Sequence, residues 1–407
     1  MKVAIVVTQL SQDSPGSFYR PYEMAKELSK LGILNQILTP FSTDIQNFHD
    51  VSMKLIPTIA GKLMLSDFAY RSIRKIVYNK KLSNIISYDK FLQSSSEKIA
   101  IGLEKCLDER LEILQGEQEV AALACIKIGK KTGVPVVADI HNIWPEELVA
   151  TGYLKRESNA FKNLMKLEKS IVENADGIIS VNEFMKEYLI SQFDVDPHKI
   201  SIIPPGGQVL FDIDEKLRLK SQTKKVIYGG LVNPREHVDL FVKSMPHVYS
   251  KSPSTKFILS KKGESAKEIK SLCNSLNLKP DFYWFQSRDK ARKLLKSCYI
   301  GVLPSKNDIA RKLGTPLKLL EYISNGLPVV ANDIGSWCSI IKDNKIGILT
   351  DDNPKDFAYG ICTLLEDKEL YQEIQQNILK LLNEKYNWKI YIQNILLPMY
   401  KKLKHNK

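Results

Sequence analysis

A strand-and-helix rhythm runs once through the first half of this chain and then starts over in the second. Residues 3–8 are an apolar run, followed by the polar loop QLSQDSPGSF and a stretch of good helix formers, YRPYEMAKELSKLG, closed by Gly32. Residues 35–40 return as a second strand. Strand, loop, helix and strand in that order begin a parallel, doubly wound sheet. The spacing predicts further strands at 111–114, 134–139, 176–181 and 199–205, with helices at 119–132, 159–175 and 183–193. After a polar linker at 212–223 the pattern resumes. Strands are expected at 225–228, 256–259, 282–285, 299–303 and 347–350. Helices are expected at 237–249, 266–276 and 288–297, and from 354 onward. Two doubly wound α/β units fit this better than one large sheet. Residues 41–100 break the rhythm, and two helical segments are expected there, around 59–70 and 73–85.

With 407 residues the chain exceeds what one hydrophobic core normally serves, so two domains are also the expectation from length. A 43% hydrophobic and 26% charged composition is that of a folded, soluble protein. The six cysteines have no CxxC or other ligand spacing, which argues against a disulfide framework and against structural zinc. The apolar start VAIVV meets Gln9 too soon for a signal peptide, and no apolar run reaches spanning length. The net charge of +13 is uneven: residues 1–200 hold 25 basic and 25 acidic residues, residues 201–407 hold 34 and 21. Within the neutral half, residues 51–98 form a basic island of nine Lys/Arg against three Asp/Glu, threaded with leucines, isoleucines and aromatics. Such a mixture suits a folded surface, an anionic membrane or a nucleic acid.

The richest stretch is 313–331, LGTPLKLLEYISNGLPVVA. A Gly-Thr-Pro turn opens a short helix carrying Lys318 and Glu321 three residues apart, on one expected face. Asn325-Gly326 ends it, and Val329-Val330-Ala331 starts a buried strand. A helix N-terminus favours an anion, a lysine favours phosphate, and a carboxylate suits a pair of hydroxyls. Together these could hold the diphosphate and ribose of a nucleotide sugar. An ordinary surface Lys–Glu pair is the plainer alternative.

In the first half, Asp139, His141, Trp144 and Glu146 gather at the C-terminal end of a strand, where open α/β sheets place ligands. His141 can meet a polar substrate, and Trp144-Pro145 can cover a ring. Gly16 and Ser17 lie in the first loop, where backbone N–H groups could approach a ligand, with Arg20 at the helix start. GxGxxG is absent, so tightly bound NAD is not expected. The DVD at 194–196 and DID at 212–214 read as turns and caps. No metal-ligand or lysine-bearing P-loop motif is present, so no metal is required.

Taken in order, GGLVNPRE, LPSKNDIARKLGTPLKLLEYISNGLPVVA, NADGIISVNEFMKEYL, DIHNIWPE, KISIIPPG and GILTDDNP resemble the retaining GT-B glycosyltransferases of family 4, in the subgroup with a GTPLK-x-x-E motif. The resemblance covers almost the whole chain. It implies an α/β GT-B fold, two Rossmann-like domains facing each other across a cleft, with C-terminal helices crossing back toward the first. The expected division is 1–205 on the acceptor side, 206–385 for the nucleotide sugar, and 386–407 as a C-terminal helix and basic tail.

The resemblance also implies roles. Glu321 matches the second glutamate of the family's E-x7-E motif, which binds ribose, whereas the first falls on Leu313. The Arg and Lys of the family's phosphate-binding motif fall on Gly230 and Arg235, so one cation is lost, and Lys318 could restore it. Arg235, Lys318 and His141 are then the expected catalytic residues. Gly16, Ser17, Gly230, Gly314, Thr315, Pro316, Leu319 and Glu321 complete the donor site with them. Arg20, Asp139 and Trp144 support the acceptor side. The implied activity is transfer of a hexose, without metal or other cofactor, from a nucleotide-diphosphate sugar to a glycan hydroxyl. The acceptor would be polyprenyl- or dolichyl-linked, and the enzyme peripheral at the cytoplasmic face of the cell membrane. A sugar-nucleotide epimerase of the same architecture is the alternative, although acid/base carboxylates across the sugar are not evident. A nucleic-acid-binding module, suggested only by charge, is a further one.

Overall fold

The computed structural model describes residues 1–8, 15–40, 51–57, 87–212, 224–284 and 288–405. The chain divides into two units: Met1–Pro204 together with Trp388–Lys407, and Pro205–Asn387.

The first unit is built on a parallel seven-stranded sheet. Its strands are β1 (Lys2–Val7), β2 (Leu34–Thr39), β3 (Met53–Leu55), β4 (Ile113–Glu117), β5 (Val136–Ile140), β6 (Gly177–Ser180) and β7 (Ile200–Ile202). Their order is β3-β2-β1-β4-β5-β6-β7, so the winding reverses between β1 and β4. The second unit is a parallel six-stranded sheet of β8 (Lys225–Tyr228), β9 (Lys256–Ser260), β10 (Asp281–Tyr283), β11 (Ile300–Leu303), β12 (Val329–Asn332) and β13 (Gly347–Thr350). Its order is β10-β9-β8-β11-β12-β13, reversing between β8 and β11. Strands covered on both faces by helices must be apolar throughout, and β1, β6, β11 and β12 are buried along nearly their whole length. Ligands of such sheets bind beyond the strand C-termini at the reversal point.

Local chemistry sets the helix ends. Ser158 and Asn182 cap the helices Asn159–Asn174 and Glu183–Phe193 by accepting the N–H of Phe161 and Met185. The helix Leu317–Ser324 stops at Asn325, and the positive φ of Gly326 (70°) turns the chain into β12.

Three expectations need correction. The first helix spans Pro15–Lys30, so Gly16 and Ser17 lie in its first turn and not in a loop. Pro15 has no N–H to lose, so it fits a position where that group has no helical partner. Strand β4 runs on to Glu117, because buried Gln115 and Glu117 prolong a strand that apolarity alone ends at Leu114. Met53–Leu55 is a strand and Tyr88–Glu104 a helix within the stretch read as irregular. The helices expected around 59–70 and 73–85 lie outside the described residues.

The C-terminal segment crosses back to the first unit, as the fold implies. It runs as a helix Trp388–Tyr391, a π turn Ile392–Leu396 and a helix Leu397–His405. Pro398 has no N–H for the ordinary i−4 bond, and the N–H of Leu397 bonds the Ile392 carbonyl, the wider i−5 spacing. Ile392, Leu396 and Tyr400 are fully buried, and Lys404 pairs with Glu112. Leu396→Ala should therefore lower the first unit's stability by about 2–5 kcal/mol, the range for emptying a buried leucine site. Urea unfolding of the full chain checks this, and a loss below about 1 kcal/mol would mean that the segment does not seal the core.

Candidate active site

In the second unit the site forms where β8 and β11 end. Tyr228 closes β8, and Gly229-Gly230 carries the chain into the short turn Pro234–Glu236. Glu236 is buried, with 6% of its side chain exposed, and gathers cations around it. Its Oε2 lies 2.6 Å from Lys318 Nζ, and its Oε1 lies 3.5 Å from Arg311 Nη1 and 3.7 Å from Arg235 Nε. Burial disfavours its charge, but Arg311, Lys318 and Arg235 together outweigh that and hold its carboxyl down at about 2. Burial in turn draws the Lys318 ammonium below its ordinary range, against the pull of Glu236. Three cations against one carboxylate leave the cluster positive.

The Tyr228 hydroxyl donates to the Leu231 carbonyl at 2.8 Å and receives Lys318 Nζ at 3.2 Å. A side chain at position 230 would run into Lys318, whose Nζ lies 2.8 Å from where its Cβ would sit. The lysine thus fills the space beside Gly230 that a longer residue would need. Asp308 is spent as a helix cap, accepting the Arg311 N–H at 2.9 Å. Gly314, Thr315 and Pro316 form the bend that leads into the helix Leu317–Ser324.

Lys318 and Glu321 do not share an outward face as expected. Lys318 turns inward to Glu236, with 16% of its side chain exposed, while Glu321 is exposed. Leu319 is fully buried in the core, and its N–H bonds the Pro316 carbonyl, so it offers neither group to a nucleotide. The structure brings Gly230, Arg235 and Lys318 together. It adds Glu236, Arg311 and Tyr228, which sequence reasoning did not single out. The signal for Glu236 was available: a carboxylate directly after Arg235, in the turn expected to supply a cation.

In the first unit the ends of β4 and β5 carry a second charged cluster. Asp139 is fully buried and is held by Arg20 through Nε at 2.9 Å and Nη2 at 3.1 Å. Arg20 is itself 3% exposed, so it is a buried partner of Asp139. His141 Nε2 lies 3.1 Å from Asp139 Oδ1 and 3.1 Å from Glu117 Oε2. Burial pulls the imidazole down, but Asp139 and Glu117 push it up to about 9, so it is an imidazolium at neutral pH. Burial would raise Asp139, yet Arg20 and His141 keep it below the usual carboxylate range. Glu117, raised by burial and by Asp139, is the member missed in the sequence. Its sign was the polar run Gln115-Gly116-Glu117 after Ile113-Leu114. Trp144 packs edge-on against Tyr88 at 5.7 Å, so its ring is engaged within the unit.

Glu117, Asp139 and His141 offer three ligand atoms close enough to hold a cation. Arg20, however, already occupies both oxygens of Asp139.

Because the folded-state pKa of His141 is raised, its stabilising contribution is fully present below about 6.5 and lost as pH rises through about 9. Thermal melting should therefore show stability falling across that window, and His141→Gln should flatten the fall. A parent and variant that lose stability in parallel across it would contradict the charged His141.

Comparison with known proteins comes to the same architecture. Residues 19–207 match the family model described as Glycosyltransferase Family 4, and residues 211–381 that of Glycosyl transferases group 1. The chain is similar to an uncharacterized glycosyltransferase of Methanocaldococcus jannaschii, 26% identical over 63% of this chain and 66% of that one. It is also similar to a UDP-Gal:alpha-D-GlcNAc-diphosphoundecaprenol alpha-1,3-galactosyltransferase of Escherichia coli, 25% identical over 84% and 90%. Among solved structures, Anabaena HepE in complex with UDP and glucose superposes with a TM-score of 0.70 at 14% identity, over 98% and 100% of the chains. With one glycosyltransferase model accounting for each unit and the same fold over the whole length, the chain is a glycosyltransferase of the GT-B fold, belonging to the Glycosyltransferase Family 4 and Glycosyl transferases group 1 families.

Proposed function

We propose that this glycosyltransferase moves a hexose, with retention of anomeric configuration and without a metal, from a nucleotide-diphosphate sugar to a hydroxyl of a polyprenyl-diphosphate-linked glycan. The observation that carries the reading is the positive cluster of Arg235, Arg311 and Lys318 beside the N-terminus of the helix Leu317–Ser324. As the anomeric bond breaks, negative charge grows on the departing diphosphate. Preorganised cations and helix N–H groups stabilise that growth without having to reorganise. The sugar passes through an oxocarbenium-like state. The acceptor oxygen bonds to the anomeric carbon on the face the phosphate leaves, and its proton passes to the departing phosphate oxygen. No second carboxylate is needed for a covalent intermediate.

Glu321, exposed on the same helix, binds the ribose hydroxyls in this reading. His141, as an imidazolium, donates to an oxygen of the sugar. The pairing of Asp139 with Arg20 favours a metal-free site, because a cation there would have to displace the guanidinium. The lipid-linked acceptor draws its support from the diphosphoundecaprenol substrate named for the Escherichia coli relative. Docking at the cytoplasmic membrane face rests on the basic island of residues 51–98, most of which lies outside the described residues. No helix among the described residues is long and apolar enough to cross a membrane.

Arg235→Ala and Lys318→Ala should each depress turnover by about 100-fold or more, the size of one lost transition-state donor. Glu321→Gln should mainly raise the donor KM, and EDTA should leave the rate unchanged. Near-parental kinetics in both cation variants would remove the proposed diphosphate site, and an EDTA-sensitive rate restored by Mg²⁺ would remove the metal-free mechanism. For docking, the protein should sediment with anionic vesicles at low salt and release them as salt rises. Indifference to such vesicles, with equal transfer to a water-soluble acceptor, would rule out the membrane assignment.

A further inference from the structure

We infer that the C-terminal helical segment is a working part of the first unit's site: Tyr400, acting through Gln115 and Glu117, and Trp388, acting through Arg20 and Asp139, fix the position of the His141 ring. The inference rests on the reading of His141 given above and adds positioning residues from a distant part of the sequence.

The first connection is a continuous line of buried polar groups. The Tyr400 hydroxyl donates to Gln115 Oε1. That bond commits the other end of the amide, and Gln115 Nε2 donates to Glu117 Oε1 at 2.7 Å. The remaining oxygen of Glu117 is the one 3.1 Å from His141 Nε2. Tyr400 and Gln115 are fully buried and Glu117 is 2% exposed, so water does not substitute for any link. A primary amide can face either way. Only the hydroxyl on its oxygen makes the N–H₂ end point at the carboxylate.

The second connection approaches from the other side. The guanidinium of Arg20 lies 5.7 Å from the centre of the Trp388 ring, a cation–π distance, while its Nε and Nη2 hold Asp139. Asp139 Oδ1 is the second carboxylate oxygen 3.1 Å from His141 Nε2. Trp388 itself is 7% exposed. His141 thus sits between two carboxylates, each oriented by a different aromatic residue of the same C-terminal segment.

The π turn is what lets one helix do both. Trp388 and Tyr400 are twelve residues apart, which at about 100° per residue of α-helix would separate them by about 120° around the axis. Five residues at the wider π spacing, roughly 4.4 per turn, take back roughly 90°. The two side chains are left within about 30° of each other, on the side that packs on the first helix and on β4. The distortion at Ile392–Leu396 therefore has a consequence at the site and is not only an accommodation of Pro398.

The charged groups around His141 come from four elements. Glu117 lies on β4, Asp139 on β5 and Arg20 on Pro15–Lys30. Glu119 follows on Gln118–Thr132, where it shares a hydrogen bond with Glu168 and feels Glu147. Removing the Tyr400 hydroxyl frees the Gln115 amide, so Glu117 loses its donor and holds its charge less well. His141 then loses part of what keeps it protonated.

The test is an NMR titration of the His141 ring in the full chain, without substrate, assigned by its absence in His141→Gln. Tyr400→Phe and Gln115→Met should each lower the His141 midpoint by about one pH unit, the effect of one lost hydrogen bond to a charged group passed on through Glu117. Tyr371→Phe removes an equally buried hydroxyl in the second unit, one that donates to the Tyr299 carbonyl, and should leave the midpoint unchanged. An unchanged midpoint in Tyr400→Phe and Gln115→Met would overturn the inference, as would an equal drop in Tyr371→Phe. Gln115→Met decides alone if Tyr400→Phe does not fold. Because no substrate is present, the result is independent of the reaction assigned to His141. A lowered midpoint with unimpaired transfer would uphold the connection and remove His141 from the mechanism.

Discussion

A carboxylate taken out of water must be matched by cations and hydrogen bonds, and breaking such a pair costs about 3–5 kcal/mol. Both charged clusters in this protein obey that constraint. Glu236 is the fixed point of one, and Lys318, Arg311 and Arg235 are placed by their distances to it. Asp139 is the fixed point of the other, holding Arg20 through both oxygens and setting one side of His141. In each case the buried acid fixes where the positive charge stands, and in the proposed reaction it is that charge, not the acid, that would meet a departing diphosphate or a sugar oxygen.

The parallel sheets make these placements possible. Their strands end together on one edge at the point where the winding reverses, and side chains from different parts of the sequence meet there. Glu117 and Asp139 are neighbours because β4 pairs with β5 in register, Glu117 opposite Asp139. In the second unit, Tyr228 ends β8 and the segment after β11 supplies Ser305, whose hydroxyl receives Arg311 Nη2 at 3.2 Å. The helix Leu317–Ser324 brings Lys318 back over Gly230. A glycine at 230 and a lysine at 318 are two halves of one solution, since a side chain at the first would exclude the ammonium of the second.

Much of the architecture was legible in the sequence because it follows from local rules. Buried parallel strands must be apolar, so 225–228 was read with its observed bounds. The caps and the Asn325-Gly326 stop acted as their chemistry requires. Misreadings arose where polar residues are buried. Strand β4 was cut short because Gln115 and Glu117 look like the start of a loop to any rule based on hydropathy. Arg20 was placed beside a ligand but not paired, since nothing near it in sequence announces the ion pair with Asp139.

The sequence by itself determined the two doubly wound units, the order of their elements and the residue types available at the strand ends, because periodicity, turn chemistry and helix capping act over a few residues. Only the tertiary structure decided which charges are paired. Lys318 faces Glu236, 82 positions away, and Arg20 faces Asp139, 119 away. Tyr400 reaches Gln115 across 285. Pairing of this kind depends on burial, which makes an unmatched charge costly, and burial is a property of the packed chain and not of any short stretch of it.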